Sequence, residues 1–270
     1  MERRESTGRA RQPDAVVAAR RERIIERVGA VGEVSIADLA DELGVSLMTV
    51  HRDLDELAGR SLLRKLRGRA AALHSMRAEV GVQFRRRNNV AEKEMIAAAA
   101  VEMVGAGSTI LVDDSTSCLP LVAKLADRGP LTVITNFLEV ARIVGAGANI
   151  EVLLLGGEYS ADFDAVFGHD VYQALRGIRA DYYFSSAPAI AAGTLYQAAR
   201  RSSSVKRAML EASARHVLLA DHTKFGRTAP FVVSHARDYD VLVTDDQAPE
   251  EELGAWSAEG ATVTIVPSRS

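Results

Sequence analysis

Apolar positions in roughly the first seventy residues recur at helical spacing, whereas beyond about residue 90 they gather into short continuous runs. Val17, Ile24, Ile25 and Val28 give one apolar side to a helix expected from about Asp14 to Val28, ended by the glycines of VGAVGEVS. Ser35 is then placed as the N-cap of IADLADEL, with Asp38 in the acidic slot of a capping-box-like arrangement. Ile36, Leu39, Ala40 and Leu43 form the inward stripe of that helix, and Gly44 supplies a left-handed residue to end it. In LGVSLMTVHRDLDEL, Ser46 caps a further helix whose inward stripe is Val50, Leu54 and Leu57. LLRKLRGRAAAL reads as two short strands around a tight turn at Arg67-Gly68-Arg69.

From about Val90 the pattern changes. An alanine-rich helix (AEKEMIAAAAVEMV) precedes the buried-looking strand TILVD. Apolar strands then alternate with helical stretches: LTVITN, IEVLLLGG, ADYYFSS, HVLLAD, YDVLVTD and TVTIVP. Continuous apolar strands separated by helices predict an α/β domain with a mainly parallel sheet covered on both faces. The expected organisation is a reader at 14–73, a basic connector at 74–89 and an α/β body at 90–270.

Charge sharpens that division. Residues 1–90 carry 18 Lys and Arg against 13 Asp and Glu, and residues 91–270 carry 15 against 23. Between Arg60 and Arg87 nine basic residues face the single acid Glu79. A basic N-terminal part on an acidic body suits a polyanion bound at one end only. The lone cysteine, Cys118, leaves no intramolecular disulfide framework and fits a reducing compartment. MERRESTGRARQPD lacks an apolar signal region, and no run of about 18 apolar residues occurs, so a cytoplasmic protein without membrane association is expected.

Two short helices joined by a glycine turn, with small Ala40 at their crossing, are a helix-turn-helix arrangement. With Val50, Leu54 and Leu57 inward, Ser46, Met48, Thr49, His51 and Arg52 lie on the other side, at the end that enters the major groove of duplex DNA. Arg67 and Arg69 of the following turn form a wing that can touch phosphates.

These residues carry a specific resemblance. RRERIIERV…VSIADLADELGVSLMTVHRDLDEL is similar to the N-terminal winged helix of DeoR-type bacterial transcriptional regulators. The family pattern Val-Ser-x-x-Thr-Ile-Arg-Arg-Asp-Leu is met by Thr49, Arg52, Asp53 and Leu54, with His51 in place of the first arginine. The family's His-Gly-Gly wing is replaced by Leu66-Arg67-Gly68-Arg69. The resemblance runs on through the body: Lys93 before Ile96-Ala97, VDDSTS at 112–117, VITN at 133–136, LLGGEY at 154–159 and ADHTKFGR at 220–227. It implies a sensor half resembling ribose-5-phosphate isomerases, an operator as partner, and a phosphorylated sugar or related anion as effector.

Within the body, VDDSTS places hydroxyls and backbone amides at a strand-to-helix junction, where phosphate is readily held. Asp113, Ser115, Thr116 and Ser117 are candidate effector residues there, although Asp114 is an added acid and Ser115 stands where the family has glycine. Thr135, Asn136, Gly156 and Gly157 follow strands at the end where open α/β sheets gather ligands. Asp221 and Lys224 of ADHTKFG, with Lys93, complete the expected anion site. Arg200 and Arg201 fall where relatives carry acids, which alters the rim of the pocket or an interface.

The related isomerases place acids after the strand that corresponds to ADYYFSS, whereas Ser185–Ala189 contains no carboxylate for a proton shuttle. The expectation is a regulator, most readily a repressor of carbohydrate genes, with no catalytic residues, metal or cofactor, acting as a homodimer or larger even oligomer. Two competing readings are an isomerase-like enzyme with an appended DNA module and a DNA-binding scaffold whose pocket has lost its ligand.

Overall fold

A computed structural model describes residues 14–31, 33–59, 63–71, 82–145, 147 and 149–268, and the chain divides into two compact units, Met1–Arg77 and Ala78–Ser270. In the first unit, α1 (Asp14–Val31) is followed by β1 (Glu33–Ser35), α2 (Ile36–Leu43), α3 (Leu47–Gly59), β2 (Arg64–Leu66) and β3 (Arg69–Ala71). The first helix runs through Gly29, three residues beyond its expected end. Burial of Ile24, Ile25 and Val28 outweighs the roughly 1 kcal/mol that an interior glycine costs.

The local signals of α2 and α3 act as their chemistry demands. Ser35 Oγ accepts from the amides of Ala37 (3.1 Å) and Asp38 (3.3 Å). Gly44, at φ +63°, ends α2. Ser46 Oγ accepts from the Thr49 amide at 3.2 Å. Ile36, Leu39 and Ala40 are buried, as are Val50, Leu54 and Leu57, while Leu43 is half-buried. Strands pair in the order β1–β3–β2, antiparallel throughout, and Arg67-Gly68 turns between Leu66 and Arg69. Asp53 on the inner side of α3 is buried and accepts from Arg20 Nε at 2.6 Å and Arg21 Nε at 2.9 Å, which fixes α3 against α1.

The second unit opens with α4 (Val82–Arg87) and α5 (Val90–Val101). Thus 82–89, expected within a basic connector, belongs to the body; buried Val82 and the internal contacts of Arg85 explain why. Residues 72–81, the rest of the connector and the end of the expected reader, lie outside the described residues. Next come β4 (Thr109–Val112), α6 (Leu119–Leu125), β5 (Leu131–Thr135), α7 (Leu138–Val144) and β6 (Ile150–Leu154). The chain continues through β7 (Glu158–Ser160), β8 (Ala165–Phe167), α8 (His169–Arg176), β9 (Ala180–Ser185), β10 (Ala189–Ala191) and β11 (Thr194–Gln197). It ends with α9 (Arg200–Glu211), β12 (Ser213–Leu219), β13 (Phe231–His235), β14 (Val241–Asp245), α10 (Glu250–Ala258) and β15 (Thr262–Val266).

Seven of these strands form one parallel sheet in the order β15-β14-β12-β9-β4-β5-β6. The sheet starts at β4, grows outward through β5 and β6, then restarts beside β4 with β9. Around it, α9 packs on β9 and β12 and against α8, while α6 packs against α5 and α7. The core between these layers includes Leu111, Phe137, Tyr183, Phe184 and Trp256, all fully buried. A hairpin β7–β8 and a small antiparallel sheet β10-β11-β13, neither expected, accompany the main sheet. Among the described residues no helix is long and apolar enough to cross a membrane, and no cluster of three or more His, Cys, Asp or Glu could hold a metal ion.

Leu54 is fully buried in a unit with few large side chains. Leu54→Ala is expected to destabilise the first unit by about 2–5 kcal/mol, read as a lower urea midpoint for the loss of its helical signal.

Candidate effector cavity and nucleic-acid interface

The restart of the sheet at β9 beside β4 creates a topological switch point, where the carboxyl ends of two adjacent strands lead their loops apart. After β4 comes Asp113-Asp114-Ser115, a tight turn of 3-10 helix at Thr116–Cys118, and then α6. After β9 comes Ser186-Ala187-Pro188. Between these loops lies a small polar cavity of about 20 Å³. Its walls include the Ser115, Thr116 and Ser117 segment, the Ser186–Pro188 loop and Gln197. Three cations, Arg85, Lys206 and Lys224, line it as well, and among the described residues no carboxylate does.

Below the hydroxyls sits a buried ionic network. Lys206 of α9 donates from Nζ to Asp113 Oδ2 (2.6 Å), Ser115 Oγ (2.9 Å) and the Ser186 carbonyl (3.0 Å), and lies 3.6 Å from Asp114 Oδ1. Tyr183 of β9 donates its hydroxyl to Asp113 Oδ2 at 2.5 Å. The Ser115 amide closes on Asp113 Oδ1 at 2.9 Å, and the Ser186 amide donates to Ser115 Oγ at 3.1 Å. Burial alone works against the Lys206 charge, but Asp113 and Asp114 outweigh it and hold the ammonium above its usual range. Burial, reinforced by Asp113, pushes the Tyr183 phenol well up, so it remains a donor.

The added acid Asp114 is absorbed by this network. Its carboxylate accepts from Ser202 Oγ at 3.1 and 3.2 Å, and Gln197 Nε2 in turn donates to Ser202 Oγ at 2.8 Å. Its carbonyl accepts from Arg85 at 3.3 Å. Arg85 and Arg201 both lie over the Phe163 ring, at 5.8 and 4.9 Å from its centroid, and Arg201 also donates to Ser160 Oγ at 2.8 Å. Arg201 thus stacks beside the cavity-lining arginine, while Arg200 is exposed at the start of α9.

At the neighbouring loop, Asp221 is fully buried and accepts from Asn89 Nδ2 (2.7 Å), the Thr223 amide (3.1 Å) and the Thr223 hydroxyl. Lys224 Nζ lies 3.7 Å from it. Burial pushes the Asp221 carboxyl upward, yet Lys224, Thr223, Lys93 and Asn89 together hold it below the usual range. Lys93 is buried and donates to the Arg85 carbonyl at 2.5 Å. Burial, then repulsion from Lys224, lowers its pKa to about 8.

Of the expected effector residues, Ser115, Thr116, Ser117 and Lys224 meet at the cavity, with Asp113 beneath it and Lys93 and Asp221 beside it. Thr135, Asn136, Gly156 and Gly157 are not among its walls. Thr135 Oγ1 accepts from the Phe137 amide at 3.0 Å, and Asn136 Nδ2 donates to the Val166 carbonyl at 3.0 Å. A Cβ on Gly157 would lie 2.4 Å from the Phe167 carbonyl oxygen, so that glycine permits close backbone packing. Sequence reasoning missed Lys206, Arg85, Gln197 and Asn89. Lys206 stood in the VKRAM stretch, but nothing in its spacing foretold a partner some ninety residues away.

On the first unit, Met48 and Arg52 are exposed on α3, His51 is half-buried, and Arg67 is exposed at the wing. The Ser46 and Thr49 hydroxyls bond each other at 2.9 Å, so both serve the helix start. Arg69 pairs with Glu33 at 2.9 Å, a surface ion pair of little energetic weight.

Lys93 generates a prediction with a definite sign. Its folded pKa of about 8 lies below the 10.5 of an unperturbed lysine, so between those values the unfolded chain binds more protons. Stability conferred at this position should therefore rise with pH from about 8 toward 10.5. Comparing melting temperatures from pH 7.5 to 10 should show that Lys93→Met flattens this rise, and an unchanged profile would contradict the assignment.

Residues 20–76 match the DeoR-like helix-turn-helix domain and residues 88–246 match the DeoR C terminal sensor domain. The chain is 32% identical to the transcriptional repressor AccR of Agrobacterium fabrum, covering 84% of this chain and 88% of that protein. It is 30% identical to the glycerol-3-phosphate regulon repressor of Escherichia coli, covering 84% and 90% respectively. The lactose phosphotransferase system repressor of Lactococcus lactis is likewise 30% identical, covering 88% and 94%. A ribose 5-phosphate isomerase from Methanocaldococcus jannaschii superposes on 49% of this chain and 53% of its own, with a TM-score of 0.37 and 14% identity. With both of its halves matched by the family's domains and full-length repressors among its relatives, the chain belongs to the DeoR family of transcriptional regulators.

Proposed function

We propose that this protein is a cytoplasmic, sequence-specific transcriptional repressor of carbohydrate-metabolism genes, relieved or engaged by a small phosphorylated sugar or related anion. The reader spans 14–73, with Ser46 and Thr49 setting the start of its recognition helix and Met48, His51, Arg52, Arg67 and Arg69 facing duplex DNA. The sensor spans 90–270, with α4 of the connector region joined to it. The observation that carries the reading is the switch-point cavity: hydroxyls and three cations converge there without a carboxylate among the described walls. Such a lining suits a phosphate or carboxylate. It offers no base for moving a proton between sugar carbons, so the chain is read as a sensor without turnover.

At about 20 Å³ the cavity has room for little more than a water molecule, far below the roughly 300–1,000 Å³ common for small-molecule sites, so a phosphorylated effector enters only as the surrounding loops part. Regulation follows from linkage: an inducer must bind the operator-incompetent state more tightly, and each tenfold preference shifts the balance by about 1.4 kcal/mol. The names of the relatives, repressors of a glycerol-3-phosphate regulon and of a lactose phosphotransferase system, support a phosphorylated metabolite. A homodimer or larger even oligomer fits this reading, because paired winged helices read two half-sites where one reads only a few base pairs.

Operator binding tests the reader. On a duplex selected from a random library, Arg52→Ala is expected to cost about 1–3 kcal/mol, as for loss of a base contact. Arg67→Ala should weaken all sequences alike and reduce the salt slope by about one. Equal affinities of both variants and wild type would remove the assignment. The sensor is tested by a thermal-shift screen of phosphorylated metabolites. A ligand at about a hundred times its Kd should stabilise the native state by about 2.7 kcal/mol. Thr116→Ala and Lys224→Ala should each abolish most of that shift while sparing operator binding. A screen with neither thermal shift nor operator release would favour a ligand-free scaffold.

A further inference from the structure

Met48 is the most exposed large apolar side chain among the described residues, at 70%, and its neighbour Leu47 on the same first turn of α3 is 53% exposed. Neither is needed to bury the helix, whose inward side is already made by Val50, Leu54 and Leu57. Met48 and Arg52 are four residues apart, so they share one face with their Cβ atoms about 5–6 Å apart. The hydroxyls of this turn are engaged: Ser46 and Thr49 bond each other at 2.9 Å, and Ser46 also caps the Thr49 amide. One hydroxyl proton of that pair stays free, but the long side chains turned outward on this face are a thioether chain beside a guanidinium.

A partner for that pair must place an apolar group one short step from strong hydrogen-bond acceptors. The major groove does so where a thymine lies near a guanine: the thymine C5-methyl is its apolar feature, and guanine O6 and N7 accept a bidentate guanidinium. We propose, building on the DNA-binding reading above, that Met48 determines operator specificity by packing on a thymine methyl. Arg52 contacts a guanine within one or two base steps of that thymine. The face thus reads a hydrocarbon group and an acceptor pair, where hydroxyl contacts from Thr49 would have been expected.

The test uses the full-length protein and an operator selected from random duplexes, with each thymine replaced in turn by deoxyuridine, which removes only the methyl. At fixed salt, one such replacement per half-site should weaken wild-type binding about fourfold, the equivalent of one methyl returned to water. Met48→Ala should bind the thymine and deoxyuridine duplexes equally, whereas Arg52→Ala should keep the methyl dependence and lose discrimination at the guanine. Met48→Leu, which retains an apolar chain, should preserve the methyl effect, and an unchanged melting curve for each variant shows that folding is intact. Wild-type affinity indifferent to every deoxyuridine overturns the proposal while leaving the regulator reading in place. So does a Met48→Ala variant that keeps the full methyl effect, or one whose only defect is a changed oligomeric state, which would assign the face to a protein contact. Failure to select any operator overturns both readings.

Discussion

The second unit is organised around a lysine ammonium withdrawn from water. Taking a cation and two carboxylates into a protein interior costs several kcal/mol per ion, and only close geometry offsets it. From its place on α9, Lys206 meets that demand by gathering acceptors from two other parts of the chain: Asp113, Asp114 and Ser115 after β4, and Ser186 after β9. Tyr183 uses its hydroxyl to steady the same carboxylate. The arrangement fixes how far apart the two strand ends can lie, and that separation defines the cavity. An electrostatic clamp therefore forms the floor of the site, and it holds the Ser115 hydroxyl in place.

The first unit uses a smaller version of the same constraint. Asp53 faces inward among Val50, Leu54 and Leu57, where a carboxylate would be intolerable without Arg20 and Arg21. The pairing sets the rotation of α3 about its axis and so decides which side chains turn outward. Met48 and Arg52 owe their exposure to the side that Asp53 and its apolar neighbours have claimed. A buried acid here serves recognition without touching the ligand.

Much of this was legible in the chain because it depended on neighbours in sequence. Ser35, Gly44 and Ser46 mark helix ends through contacts within four residues, and apolar runs announce the buried inner strands, but not the edge strands β6 and β15, where the equally apolar Leu153, Leu154 and Ile265 are exposed. The site was legible only in part. Ser115, Thr116 and Ser117 could be read from a strand-to-helix junction, but Thr135, Asn136 and Gly157 sit at equivalent junctions and instead tie or pack backbone. Spacing cannot tell a ligand loop from a packing loop when both need small polar residues. Lys206 and Asn89 acquire their roles from partners about ninety and one hundred and thirty residues distant, a relation that no local pattern encodes. The hairpin β7–β8 and strand β10 have three residues each, too few to show a period, and β11 and β13 lack the continuous apolar run that marked the main strands.

Gly157 has a consequence for how this chain can change over generations. It combines a φ of +147° with a Phe167 carbonyl oxygen that would stand 2.4 Å from any Cβ. Every other amino acid carries that atom, and its obstacle is backbone, which cannot rotate out of the way as a side chain would. Position 157 therefore has no permissive neighbour in sequence space, and drift around it must proceed through residues that keep the two backbones together. A Cβ on the adjacent Gly156 would meet nothing within 4 Å, so that position is open to replacement. Two identical letters side by side thus stand under opposite constraints, one position closed to any Cβ and the other open to it.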